Sequence, residues 1–102
     1  MARKALMAGL RPTHPSEFLG EIVLPATGRP KTDIAALLGV SRQTLYDVLK
    51  QRQPVTPNVA LRLGKMFPNG PEFWLNMQQA HDLAVLAPDI DLDAIPAIGA
   101  AA

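Results

Sequence analysis

Seven polar side chains fall within ten positions of this chain: Ser41, Arg42, Gln43, Thr44, Tyr46, Asp47 and Lys50. Placed on a helix whose other side is Leu45, Val48 and Leu49, they form one outward face on which every member can hydrogen-bond. The chemistry that suits such a face is the reading of base edges. An arginine can bond a guanine through two parallel bonds, a glutamine can do the same for adenine, and a helix fits the major groove of DNA. On that reading Arg42 and Gln43 touch bases, while Ser41 and Thr44 position the backbone. Catalytic chemistry has far less to work with. Cysteine is absent, which removes thiolate nucleophiles, disulfides and thiolate zinc sites. His14 and His81 stand in different parts of the chain with no second histidine at ligand spacing, so no metal and no cofactor are expected. Ser16 lies near His14, but both sit where a helix begins, and capping is the simpler use.

A face of this kind needs elements that hold it, and the stretch Lys31 to Lys50, KTDIAALLGVSRQTLYDVLK, has their pattern. Ala35 is small where two helices would cross. Gly39, four residues on, can take a positive φ at a helix end. Ser41 can cap the next helix through its hydroxyl. Leu45 and Val48 then point back into a core. These are the spacings of a helix-turn-helix, although a helix, a glycine turn and a second helix also make an ordinary corner in all-α proteins. Lys31 and Thr32, opening the first of the two helices, and Arg52, in the loop QRQP after the second, are the further candidates for phosphate contact.

The 102 residues suit one domain, and 48% hydrophobic content supports one core. No apolar run is long enough to cross a bilayer, the first residues lack the apolar stretch of a signal sequence, and a cytoplasmic protein with no membrane partner is expected. Net charge is only +1, but its distribution is lopsided. Residues 1–65 hold all ten Lys and Arg against four acids, a balance of +6, whereas residues 66–102 hold five acids and no Lys or Arg. The first part suits a polyanion; the second would be repelled by one and suits contact with protein. Chance segregation in a short chain is the plainer alternative.

Taken in order, residues 1–12 read as a flexible basic arm, with Arg3, Lys4 and Arg11. Residues 13–85 read as the domain. Thr13 or His14 caps a first helix opening at Pro15, with Phe18, Leu19, Ile22 and Val23 on its buried face and Pro25 and Gly28 ending it. Ile34, Ala35, Leu37 and Leu38 are the apolar set of the second helix, and Leu45, Val48 and Leu49 of the third. Thr56 and Pro57 start a fourth helix, to about Phe67, with Val59, Ala60, Leu63 and Phe67 inward. The break PNGP leads to a fifth, from Pro71 to about Val85, with a wide apolar band. Phe73 and Trp74 are adjacent and cannot face the same way, so one of them is expected at a partner. The tail, 86–102, alternates Ile90 and Leu92 with Asp89, Asp91 and Asp93. That is either a short edge strand or extended segment that packs on something, or a disordered end, with disorder favoured for 96–102.

Four blocks, PTHPSEFLGE, AALLGVSRQTLYDVL, TPNVALRLGKMF and PEFWLNMQQAHDL, together resemble the HigA-type (VapI-type) antitoxins, which carry the Cro/C1 or XRE helix-turn-helix. PEFWLNMQ is the most specific block. The resemblance implies an all-α, five-helix Cro/C1-type domain that forms a homodimer and binds double-stranded operator DNA in its own promoter. It also implies a HigB-type toxin as partner, a messenger-RNA-cleaving enzyme of the RelE class. A stand-alone XRE-family regulator without a toxin is the alternative. The family's SRQ corresponds to Ser41, Arg42 and Gln43, and Tyr46 and Lys50 complete the expected DNA-contacting set with Lys31, Thr32, Thr44 and Arg52. The helix bearing FWLN builds the family's dimer, which assigns Phe73, Trp74, Met77 and Leu83 to that interface. Lys31 stands where the family commonly has a glutamine, and Tyr46 where it has a smaller polar residue, so the operator sequence does not carry over.

Overall fold

The computed structural model describes residues 12–99. The expected basic arm therefore lies, but for Pro12, outside the described residues, as do 100–102. Helix α1 has three parts: an α-helical turn Pro15–Phe18, a π-helical turn Leu19–Val23 and an α-helical turn Leu24–Thr27. Helices α2 (Lys31–Leu38), α3 (Arg42–Leu49), α4 (Pro57–Met66) and α5 (Pro71–Leu86) follow, then single 3-10 turns at Ala87–Asp89 and Leu92–Ala94. No strand occurs among the described residues, and none of the helices there is long and apolar enough to cross a membrane.

Pro25 does not end α1, contrary to the sequence expectation. A proline inside a regular helix removes one hydrogen bond and drives its ring against the carbonyl four residues back. Here the turn before it widens, with the Leu24 N–H bonding the Leu19 carbonyl, and the chain passes Pro25 still helical. Gly28, at φ +68°, is where the helix stops. The same widening changes which residues face inward. Leu19 and Leu24 are buried, whereas Ile22, expected on the buried face, is exposed.

The core comprises those two leucines with Ile34, Ala35, Leu38, Leu45, Val48, Val55, Ala60, Leu63 and Trp74. Leu37 is a second correction, 61% exposed rather than inward. Trp74 is fully buried and packs on Phe18, Phe67 and Phe73 at ring-centroid distances of 5.8, 6.4 and 5.3 Å. Its indole N–H has no hydrogen-bond partner among the described residues, a penalty of about 1–3 kcal/mol that burial of so large a ring offsets. Helices α4 and α5 meet at Gly64, where an added Cβ would overlap the backbone of Gly70 and Pro71. Helices α2 and α3 share this core with α4 and α5, so the four belong to one packed body.

The start of α1 is fastened to α5 by a buried polar cluster. His14 Nδ1 accepts from the Ser16 N–H at 3.0 Å, making His14 the cap, and its Nε2 lies 3.2 Å from Gln78 Nε2. Gln78 in turn accepts from the Val55 N–H at 2.8 Å and donates to Asp82 at 3.0 Å. The His14 and His81 rings meet edge to face at 4.6 Å. The two histidines that the sequence sets far apart are therefore neighbours, a correction that comes from the antiparallel return of α5. No group of three or more metal-ligating side chains occurs among the described residues.

The tail corrects the strand expectation. Its two 3-10 turns are closed by Ile90 N–H to Ala87 carbonyl and Ile95 N–H to Leu92 carbonyl bonds, and residues 96–99 are irregular and exposed.

Candidate nucleic-acid interface

Helix α3 is presented by a turn that the sequence dictates. Gly39 lies at φ +78°, and the N–H groups of Gly39 and Val40 bond back to the carbonyls of Ala36 and Ala35 at 3.1 and 3.0 Å. That paired closure satisfies two carbonyls in the last turn of α2 and sets the angle at which the chain leaves it. Ser41 then caps α3, its Oγ accepting from the Thr44 N–H at 3.0 Å. The same hydroxyl donates to Thr44 Oγ1 at 2.9 Å. On the inner side Leu45 and Val48 are buried, as their spacing requires.

A fixture missed by sequence reasoning lies across this turn. Arg62, on α4, donates from Nη1 to the Leu38 carbonyl at 2.9 Å and the Gly39 carbonyl at 3.3 Å, and from Nε to Asn58 Oδ1 at 2.8 Å. A cation at the end of α2 meets the negative pole of that helix and its free carbonyls together. No local sequence signal announces it, because the partners are 24 and 23 residues apart. The guanidinium also occupies the space a side chain at position 39 would need.

The expected contact residues lie as follows. Lys31 and Thr32 are exposed on the first turn of α2; Arg42, Gln43, Tyr46 and Lys50 are exposed on or just after α3; Arg52 is exposed in the following loop. Thr44 is half-buried and, with Ser41, is engaged in the cap. Gln43 donates from Nε2 to Asp47 Oδ1 at 2.7 Å, so its amide is held in one orientation. Asp47 is also 3.9 Å from Arg52, whose backbone N–H bonds the Asp47 carbonyl at 2.7 Å. Arg42 has no side-chain hydrogen bond to any described residue, which leaves its whole fork for an outside acceptor.

The four expected dimer residues divide. Phe73 and Met77 are half-buried and Leu83 is 70% exposed, but Trp74 lies wholly inside the chain and has no surface to offer a partner. Of the adjacent aromatics, Trp74 is the core residue and Phe73 the outer one.

No family model matches the chain. Virulence-associated protein I of Dichelobacter nodosus is 34% identical to it over 76 residues, 74% of this chain and 70% of that protein. Antitoxin HigA-1 of Vibrio cholerae is 36% identical over 73 residues, 72% of this chain and 69% of that protein. Among solved structures, antitoxin GraA in complex with its operator matches with a TM-score of 0.79 at 35% identity, over 90% of this chain and 96% of that one.

Proposed function

This chain belongs to the HigA/VapI family of helix-turn-helix antitoxins, and from that premise we propose that it binds the operator of its own promoter as a homodimer, represses transcription there and neutralises a HigB/RelE-type messenger-RNA-cleaving toxin in the cytoplasm. It acts by binding and not as an enzyme. The observation that carries the reading is the state of α3. A capped helix presents Arg42, which has no side-chain hydrogen bond to any described residue, beside an amide at Gln43 already oriented by Asp47.

Arg42 reads a guanine through two bonds, and Gln43, keeping its carbonyl oxygen outward, reads the neighbouring base. Tyr46 lies on the same face for a base edge or a thymine methyl. Lys31, Thr32, Lys50 and Arg52 hold phosphates, and Ser41 and Thr44 keep the helix start in shape for them. Phe73, Met77 and Leu83 form the contact between the two copies, with Trp74 supporting them from beneath.

The test is binding to the chain's own promoter fragment and to random DNA across a salt series. Arg42→Ala should lose about 1–3 kcal/mol on the promoter and little on random DNA. Lys31→Ala should weaken both alike and reduce the salt slope by about one. Equal losses from both variants on both DNAs would refute the division of roles. Absence of promoter selectivity in the unaltered protein, with and without the product of the neighbouring gene, would refute operator binding.

A further inference from the structure

The described residues leave apolar surface uncovered in several places, two of which carry opposite charge. One is a groove of about 530 Å³ between α2 and α4, floored by Leu37, Leu61 and Met66 and edged by Arg62 and Lys65. Leu37 and Leu61 are 61% and 64% exposed. The other is the tail, where Ile90, Leu92 and Ile95 are 50 to 61% exposed although local hydrogen bonds hold the segment in two turns. Between those side chains stand Asp89, Asp91 and Asp93. The groove is apolar with a cationic edge, and the tail is apolar with an anionic one.

We propose that the groove of each chain receives residues 89–95 of a second copy, so that the dimer is closed by reciprocal exchange of its tails. The inference rests on the homodimer reading above. Geometry selects a second copy over the chain's own tail. The groove lies on the last turns of α4, level with the start of α5, since Gly64 in those turns touches Pro71. The tail leaves from the other end of α5, which has 16 residues and is therefore about 24 Å long. The nine residues 87–95, six of them in 3-10 turns, span about 22 Å at most, short of the return. Two α5 helices paired about a two-fold axis perpendicular to their length run antiparallel, which sets the Leu86 end of each beside the Pro71 end of the other. The partner's tail then starts next to the groove.

Charge selects this groove over its neighbour. A second apolar hollow, lined by Ile22, Val23, Ala26, Phe67 and Pro68 with Thr27 and Asn69, also borders the start of α5 but has no cation in its lining. Three aspartates set there would lose water and gain no partner. Beside Lys65 and the Nη2 edge of Arg62 they gain opposite charge.

The absence of cysteine makes the test direct. Chains carrying Leu61→Cys are mixed with tagged chains carrying Leu92→Cys and oxidised mildly. Covalent dimers containing one chain of each kind, roughly tenfold or more above either variant alone, are expected. In parallel, Lys65→Glu and the triple change Asp89→Lys, Asp91→Lys, Asp93→Lys should each weaken the dimer roughly tenfold, and combining them should restore it. A mixture that remains dimeric by light scattering, gives no mixed covalent product and is unmoved by charge reversal overturns tail exchange and leaves the dimer reading standing. A disulfide formed within a single chain that carries both Leu61→Cys and Leu92→Cys overturns it too, in favour of the chain's own tail. If the unaltered protein is a monomer, the dimer reading fails and the exchange with it.

Discussion

A neutral imidazole has one acceptor nitrogen, and His14 faces two donors, the Ser16 N–H and the Gln78 amide, both within hydrogen-bond distance. Protonation would remove that last acceptor inside a cluster with little water. Burial, the largest cause, and the nearby His81 push the His14 pKa below its ordinary 6.5, against the weaker pull of Asp82 and Glu17. The sign of the stability effect follows. A group whose folded pKa is depressed binds its proton in the unfolded chain first, so its contribution is full above 6.5 and is lost as pH falls through that value toward the folded one. Replacing His14 with Asn keeps a side-chain oxygen to accept from Ser16 and has nothing to protonate. Denaturant midpoints measured between about pH 8 and about pH 5 should therefore fall less steeply for His14→Asn than for the unaltered protein. An identical slope in both would mean that His14 does not titrate with folding.

At the scale of elements, two helix ends with positive φ make opposite predictions. Gly39 closes α2 at φ +78° and leaves room for Arg62; Gln51 follows α3 at φ +60° with a full side chain. Gly39→Ala should cost about 2–3 kcal/mol, the left-handed strain together with displacement of a guanidinium that bonds two carbonyls, and should weaken promoter binding by tilting α3. Gln51→Gly should instead stabilise by about 0.5–1 kcal/mol, since the strain exceeds the entropy cost of glycine. Thermal melts of the two variants should move in opposite directions, and a gain from Gly39→Ala would refute the account of that turn. The comparison also shows what could be read beforehand. Ala35, Gly39, Ser41, Leu45 and Val48 act within one local span, so their spacing alone announces the turn, the cap and the buried side of α3. Arg62 on the Leu38 carbonyl and Gln78 on His14 join residues 24 and 64 positions apart, and in the sequence alone Arg62 and Gln78 each look like an ordinary exposed polar side chain. The inward expectations for Ile22 and Leu37 failed for different reasons. The widened turn before Pro25 rotates Ile22 outward, whereas Leu37 lies on the open groove between α2 and α4.

For the whole molecule the decisive fact is that α5 is built into the body that presents α3. Trp74 is in the core, Gly64 lies against Pro71, and only residues 67–70 separate α4 from α5. In a dimer joined through α5 there is then no hinge between the joint and the recognition helices, and their separation is a fixed property of the assembly. Two such helices read half-sites one helical turn apart, about 34 Å, on the same side of the duplex. Adding about five base pairs between the half-sites turns the second one to the far side. Adding about ten returns it to the near side but at twice the distance. A pair of domains on flexible joints would recover affinity with the longer insertion, by bending to follow the same face. This assembly should not: both insertions should reduce promoter affinity toward that of a single half-site, about 10-fold or more below the natural spacing. Recovery with the ten-pair insertion, measured as the ratio of dissociation constants at one salt concentration, would place a hinge between α4 and α5 where the packing of Trp74 leaves no room for one.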